Sequence, residues 1–144
     1  MKKHFTVIFL LVITFSGFAQ NTISKSDVPK AVINSYISQN SKGVTDSVWS
    51  KEVISIYKVK YNDNGQSYEA NYFADGRWIK TYTEIELSAL PMNIIKQVGI
   101  IYPNHKIVKA FIELNNDGKF YATDLIQGND KMTIYFTMGG KFVK

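Results

Sequence analysis

The chain has 144 residues, 45% of them hydrophobic and 14% aromatic, with no cysteine and a formal net charge of +5. That length suits one domain with a proper apolar core and is too short for two large ones. Without cysteine there are neither disulfides nor zinc–thiolate sites, and with a single arginine, Arg77, among lysines interleaved with carboxylates there is no phosphate-reading block, so nucleic acid is not an expected partner.

The first stretch, "MKKHFTVIFLLVITFSGFAQ", begins with Lys2 and Lys3, runs apolar from Phe5 to Phe15 and reaches small residues at Gly17 and Ala19. The order predicts a signal peptide over 1–19 cut after Ala19, because the apolar run is too short to span a bilayer. Cleavage lowers the net charge to +3 and leaves 20–144 as one domain, periplasmic or secreted.

Next comes "SDVPKAVI" (26–33), which predicts a helix: Ser26 is placed to cap the first turn, Pro29 is tolerated there, and Val28, Val32 and Tyr36 recur at helical spacing until Gly43. The period then changes to two. Strands are expected near 44–51, 54–61, 67–73 and 77–84, with turns at "NDNG" (62–65) and "ADG" (74–76). "SALPMNII" (88–95) predicts a second helix with Ser88 as cap, a stripe of Leu90, Ile94, Val98 and Ile101, and a stop at Pro103. Strands follow near 106–113, 119–126, 131–137 and 141–144, with "NNDG" (115–118) as a turn.

The two halves echo one another. At an offset of 62, Ser26 meets Ser88, Pro29 meets Pro91 and Trp49 meets Phe111; at 64, Tyr57 meets Tyr121, Tyr72 meets Phe136 and Trp78 meets Phe142. "DGRWIK" (75–80) is matched by "GGKFVK" (139–144). The pattern predicts an α+β fold made of a tandem repeat, 26–84 and 88–144, each a helix plus four antiparallel strands. Joined edge to edge, they make one continuous sheet of roughly eight strands with both helices on one face, which enlarges a core too small in either half. Alternation puts Tyr57, Val59, Tyr61, Tyr68, Ala70 and Tyr72 of the first copy and Tyr121, Leu125, Met132, Ile134 and Phe136 of the second on the helix side. The other face, carrying Lys58, Lys60, Glu69, Asn71 and Phe73 from the first copy and Ala122, Asp124, Thr133, Tyr135 and Thr137 from the second, should be open to solvent.

A helix opened by "VP" or "LP", a Trp or Phe strand, a "Y.V.Y" strand and a strand closing on "F.(D)G.W" resembles the bacterial PepSY-like proteins, whose fold is that of the beta-lactamase inhibitory protein. Here the pattern is carried by "DVPKAVI", "SVW", "YKVKY" and "YEANYFADGRWIK", then by "ALPMNII", "IYPNHKI" and "GGKFVK", across 26–144. The resemblance implies an exported domain that binds a partner, and possible inhibition of a protein or protease, through the bare face of its sheet and its hairpin loops. The chain departs from the inhibitor in lacking disulfide cysteines, and no inhibitory loop matches residue by residue.

Residues for other chemistry are sparse. His105 in "YPNHK" is the one histidine beyond the signal segment and reads as a solvated loop residue rather than a triad base or zinc ligand. Glu84 and Glu86 read as a solvated strand exit, and both Asn/Asp-rich loops as hairpin turns lacking the long acidic loop of a calcium site. No catalytic residue, metal or cofactor is expected. Trp49, Trp78, Phe111 and Phe142 read as core. Phe73 and Tyr135, set among Lys58, Lys60 and Asn71 on the open face, are the candidate binding residues for a protein or peptide. A small-ligand carrier or enzyme with a hidden pocket, and a structural envelope module, are the alternatives.

Overall fold

The structure, a computed structural model, describes residues 21–40, 44–52 and 55–143. The expected signal segment and the expected helix stop at Gly43 lie outside them. Eight antiparallel strands form one sheet in chain order: β1 (Thr22–Ile23), β2 (Val44–Lys51), β3 (Ile56–Asp63), β4 (Gln66–Phe73), β5 (Trp78–Ile85), β6 (Lys106–Asn115), β7 (Gly118–Gln127) and β8 (Asp130–Thr137). Helices α1 (Lys30–Gln39) and α2 (Met92–Ile101) precede β2 and β6.

The expected final strand over 141–144 is only a single bridge, Phe136 to Phe142, with Lys144 outside the described residues. The eighth strand is instead β1, which pairs Thr22 with Ser50 and Ile23 with Trp49 at the other edge. The serine caps are also corrected. Ser26 and Ser88 lie in short 3-10 turns, Lys25–Asp27 and Leu87–Ala89, and the helices begin after Pro29 and Pro91 with no side-chain cap. Proline drives the residue before it out of the helical region, so Val28 (ψ 132°) and Leu90 (ψ 130°) are extended and the helix cannot start earlier. The proline carbonyls still accept the first helical bonds, from Ile33 at 3.1 Å and from Ile95 at 3.3 Å.

Each helix closes one apolar cluster. Val28, Val32 and Tyr36 pack with Trp49, Tyr57, Val59, Tyr61, Ala70 and Tyr72. Leu90, Ile94 and Val98 pack with Ala110, Leu125, Ile134 and Phe136. Ile101, expected in the second stripe, is exposed instead. The hairpins follow their turn chemistry: in "NDNG" Asn64 and Gly65 take φ of 50° and 81° between the paired Asp63 and Gln66, which suits a two-residue turn.

Tyrosine hydroxyls in the first cluster predict its alkaline limit. Burial, and then the neighbouring Tyr36, Tyr68 and Asp63, push Tyr61 up to about 12, and burial also raises Tyr72, whose Oη donates to Gln39 Oε1 at 2.9 Å. Because the folded pKa lies above the unfolded value of about 10, this stability is fully present below pH 10 and is lost as pH rises toward 12. The urea midpoint is therefore expected to begin falling only above about pH 10, with the last phenolate absorbance appearing together with unfolding. Complete tyrosine ionisation near pH 10.5 with the fold intact would contradict it.

Candidate functional site

Three bulges decide which side chains share the face opposite the apolar clusters. In β5 the pairing runs from Asn71–Lys80 to Tyr72–Trp78, so Ile79 is an extra residue. Trp78 therefore packs with the first cluster while Lys80 turns to the other side, although simple alternation would keep them together. In β6 the register jumps between Ile107 and Lys109, and in β2 between Thr45 and Val48.

The bulge in β6 overturns one core expectation. Trp49 is buried, and Trp78 and Phe142 pack against the clusters, but Phe111 pairs between Glu84 and Ala122 on the opposite face and meets Tyr82 edge-on at 5.6 Å. A register change of one residue is enough to carry a side chain across the sheet.

That face encloses a concave basin of about 810 Å³ whose lining reaches from β3 to β8. Lys58, Lys60, Asn71 and Tyr135 line it as expected. Phe73 does not: it stands at the end of β4, 40% exposed, with the Arg77 guanidinium 4.8 Å from its ring centre. The rest of the lining was not among the candidates, and its central residues are Glu69, Lys80, Tyr82, Phe111 and Glu113. Glu69 was placed on this face by alternation, and the others are concealed by the two bulges.

The basin floor is not open to solvent as expected: Ala122 is 2% exposed, and Glu69 and Asn71 are 5% and 7%, with Glu113 beside them at 6%. The two glutamates lie in one cross-strand pattern in which Tyr82 pairs with Glu69 on one side and Glu113 on the other. Strand spacing therefore sets the two carboxylate residues roughly 10 Å apart at Cα. Such burial requires partners. Glu69 accepts from Tyr82 Oη at 2.5 Å and has Lys58 and Lys60 ammoniums at 3.7 Å; Glu113 accepts from Lys80 Nζ at 2.9 Å and Asn115 Nδ2 at 3.1 Å, with Tyr135 Oη at 3.5 Å.

Titration behaviour follows. Burial first, and then the hydrogen bond to Glu69, hold Tyr82 protonated far above a free phenol. Burial, then the Glu113 charge, raises Tyr135 in the same direction. Burial pulls the Lys80 ammonium down, but the hydrogen bond and charge of Glu113 more than offset it, and Lys80 stays charged above its ordinary value. At neutral pH Tyr82 and Tyr135 are therefore neutral hydroxyl donors and Lys80 is a cation.

Elsewhere the residues weighed for chemistry are explained locally. His105 is not solvated: its side chain is 12% exposed, edge-on to Tyr102 at 5.5 Å, with Nε2 4.0 Å from Asp130 Oδ2. Glu84 is an exposed lining residue whose carboxylate meets Lys109 Nζ at 3.3 Å. Among the described residues no helix is long and apolar enough to cross a membrane, and no group of three His, Cys, Asp or Glu converges as a metal set.

A family model described as "Putative beta-lactamase-inhibitor-like, PepSY-like" matches residues 55–144. None of the curated proteins matches the chain. Among solved structures, a DUF2874 family protein from Bacteroides ovatus is 18% identical, covering 81% of this chain and 84% of its own, with a TM-score of 0.64. A BLIP-like protein from Bacteroides fragilis is 21% identical over 81% and 84% of the two chains, with a TM-score of 0.63. A protein from Bacteroides eggerthii, described as a putative periplasmic protein, is 16% identical over 81% and 86%, with a TM-score of 0.62. At these identities the likeness is one of fold.

Proposed function

Since the chain belongs to the PepSY-like, beta-lactamase-inhibitor-like family, we propose that it is an exported, noncatalytic binding module that receives a protein or peptide segment in the basin of its sheet. In this reading the signal segment is cut near Ala19, the product works in the periplasm or outside the cell, and inhibition of the bound protein is the consequence. Residues 26–84 and 88–144 are two copies of one unit, both helices cover the same face, and the basin lies across the β5–β6 seam where the copies join. The pairing register and the two separate helix–strand clusters support this arrangement.

The observation that carries the reading is the basin itself. A surface that spans six strands, buries two carboxylates beneath lysines and displays Tyr82, Phe111 and Tyr135 has the aromatic centre and polar rim of a recognition surface. Phe73, beneath Arg77 beyond the basin's end, extends the contact area.

The test is capture. The immobilised exported chain is exposed to envelope and culture proteins of the producing cell beside a Phe111→Ala/Tyr135→Ala variant and a Phe73→Ala variant, and the retained protein is identified and its affinity measured. The basin variant is expected to lose at least about thirtyfold in affinity, the scale of one anchor residue, and Phe73→Ala less. Equal retention by the folded basin variant would remove the basin from the binding site.

A further inference from the structure

The basin reverses the sign of the molecule that carries it. The chain is +5 overall, yet the lining holds five carboxylates against four ammonium groups, an excess of one negative charge. Two carboxylates lie deepest: Glu69 and Glu113 are nearly closed off, the Lys58 side chain is 17% exposed, and those of Lys60, Lys80 and Lys109 stand at 51%, 31% and 52%, with Glu52 and Glu84 at the rim beside them. Asn71, also more than nine-tenths buried in this lining, keeps a buried Oδ1 with no hydrogen-bond donor. The three polar side chains of the lining that are more than nine-tenths buried, Glu69, Asn71 and Glu113, thus all present acceptors, one of them unused, and a buried acceptor without a donor is costly enough to mark a place where a donor belongs.

The chain already displays the chemistry that fits. Lys80 Nζ is held 2.9 Å from Glu113 and 5.4 Å from the centre of the Tyr82 ring, a cation gripped by a carboxylate and an aromatic face. A planar guanidinium suits such a place better than an ammonium, since it offers five donors and no acceptor and stacks on aromatic rings. One positive charge cancels the excess in the lining, while an anion would be opposed by the floor.

Resting on the reading of the basin as a protein- or peptide-binding site, we infer that its central occupant is a single arginine side chain of the partner, lodged over Asn71 and Glu113 against Tyr82, with Lys80 displaced toward the rim. The partner segment is thus defined chemically: one guanidinium, presented deep, without a second cation beside it.

The probe is N-acetyl-arginine amide, titrated into the isotope-labelled chain while backbone amide resonances of Glu69, Asn71, Tyr82 and Glu113 are followed. The citrulline analogue, which has the shape without the charge, and N-acetyl-glutamate amide are run beside it. Saturable shifts at these residues are expected for the arginine probe, with citrulline at least about tenfold weaker. Glu113→Gln is expected to weaken binding about tenfold, and Lys80→Met, which frees Glu113 from its internal cation, to strengthen it by a similar factor. Tightening cannot come from a misfolded variant. Equal binding of citrulline, preference for the glutamate probe, no saturable shift with arginine, or weakening by Lys80→Met each overturns the assignment. The basin reading itself stands or falls separately, on whether Phe111→Ala/Tyr135→Ala releases the captured protein.

Discussion

Replacing Phe136 with alanine is expected to lower the unfolding free energy by about 3–5 kcal/mol, a large part of the roughly 5–15 kcal/mol that holds an ordinary domain together. Phe136 is fully buried in β8, packs among the residues of the second cluster, and meets the Phe142 ring edge-on at 5.6 Å. Its backbone also makes the bridge that fastens the C-terminal segment across the edge strand. The substitution removes apolar contact and leaves a cavity lined by Ile94, Leu125 and Ile134, residues fixed on three different elements that cannot collapse together to fill it. Urea unfolding is the measurement, with the slope m unchanged if only stability moves. Ile101→Ala, at the end of α2 on its exposed side, is expected to stay within about 0.5 kcal/mol. A comparable loss at Ile101 would restore it to the apolar stripe and contradict the burial described here.

In the proposed arrangement, with both helices on one face, the two sides of the sheet divide the labour. Apolar clusters that each take in one helix supply stability by area, so the basin side is free to carry groups that are poor for stability. Glu69 and Glu113 illustrate the point. A buried ion pair seldom outweighs the desolvation of its charges, and apolar side chains in those places would pack at least as well. Their presence with Tyr82 and Asn71 in the hollow of the sheet is the pattern of a site held ready for a partner, consistent with the recognition role proposed above.

Alternation and turn chemistry were enough to place most of the strands, because Tyr57–Val59–Tyr61 against Lys58–Lys60 leaves β3 only one way to face. The same alternation failed at β5 and β6 for a physical reason. An extra residue at Ile79, and another between Ile107 and Lys109, carry no compositional mark, yet each exchanges the faces of everything on one side of it. Lys80, Tyr82, Phe111 and Glu113 were hidden behind those two residues. The burial of Glu69 and Asn71 on a face expected to be solvated is likewise a property of the assembled strands, which set Glu69 between Lys60 and Tyr82 and Asn71 between Lys58 and Lys80. The proline-led helix starts were legible, whereas the serines before them were misread as caps because the extended residue imposed by proline separates them from the helix.

Gly76 is expected to be the most sensitive of three glycines that share one backbone conformation and differ in what surrounds them. Gly65, Gly76 and Gly140 have φ of 81°, 87° and 80°, a region that side chains adopt only with strain, so alanine costs each about 1 kcal/mol or more from conformation alone. At Gly65 nothing lies within 4 Å of the new methyl, and that cost is the whole effect. At Gly140 the methyl would meet Asn93 Nδ2, the end of an exposed side chain that can rotate away; the added cost is that side chain's rearrangement beside the 2.6 Å bond from Gln97 Nε2 to the Gly140 carbonyl. At Gly76 the methyl would lie 2.6 Å from the Ala31 carbonyl oxygen and 2.8 Å from its carbon, backbone atoms of the first turn of α1 that yield only if the helix moves off the sheet. The predicted order of destabilisation is therefore Gly65→Ala at about 1 kcal/mol, Gly140→Ala at about 1–2, and Gly76→Ala at about 3 or more, read from urea midpoints. Equal losses at all three would mean that backbone strain alone keeps glycine in "DGRWIK" and "GGKFVK"; the predicted order would mean that the two motifs retain glycine where the chain passes beneath a helix, with the tighter passage in the first.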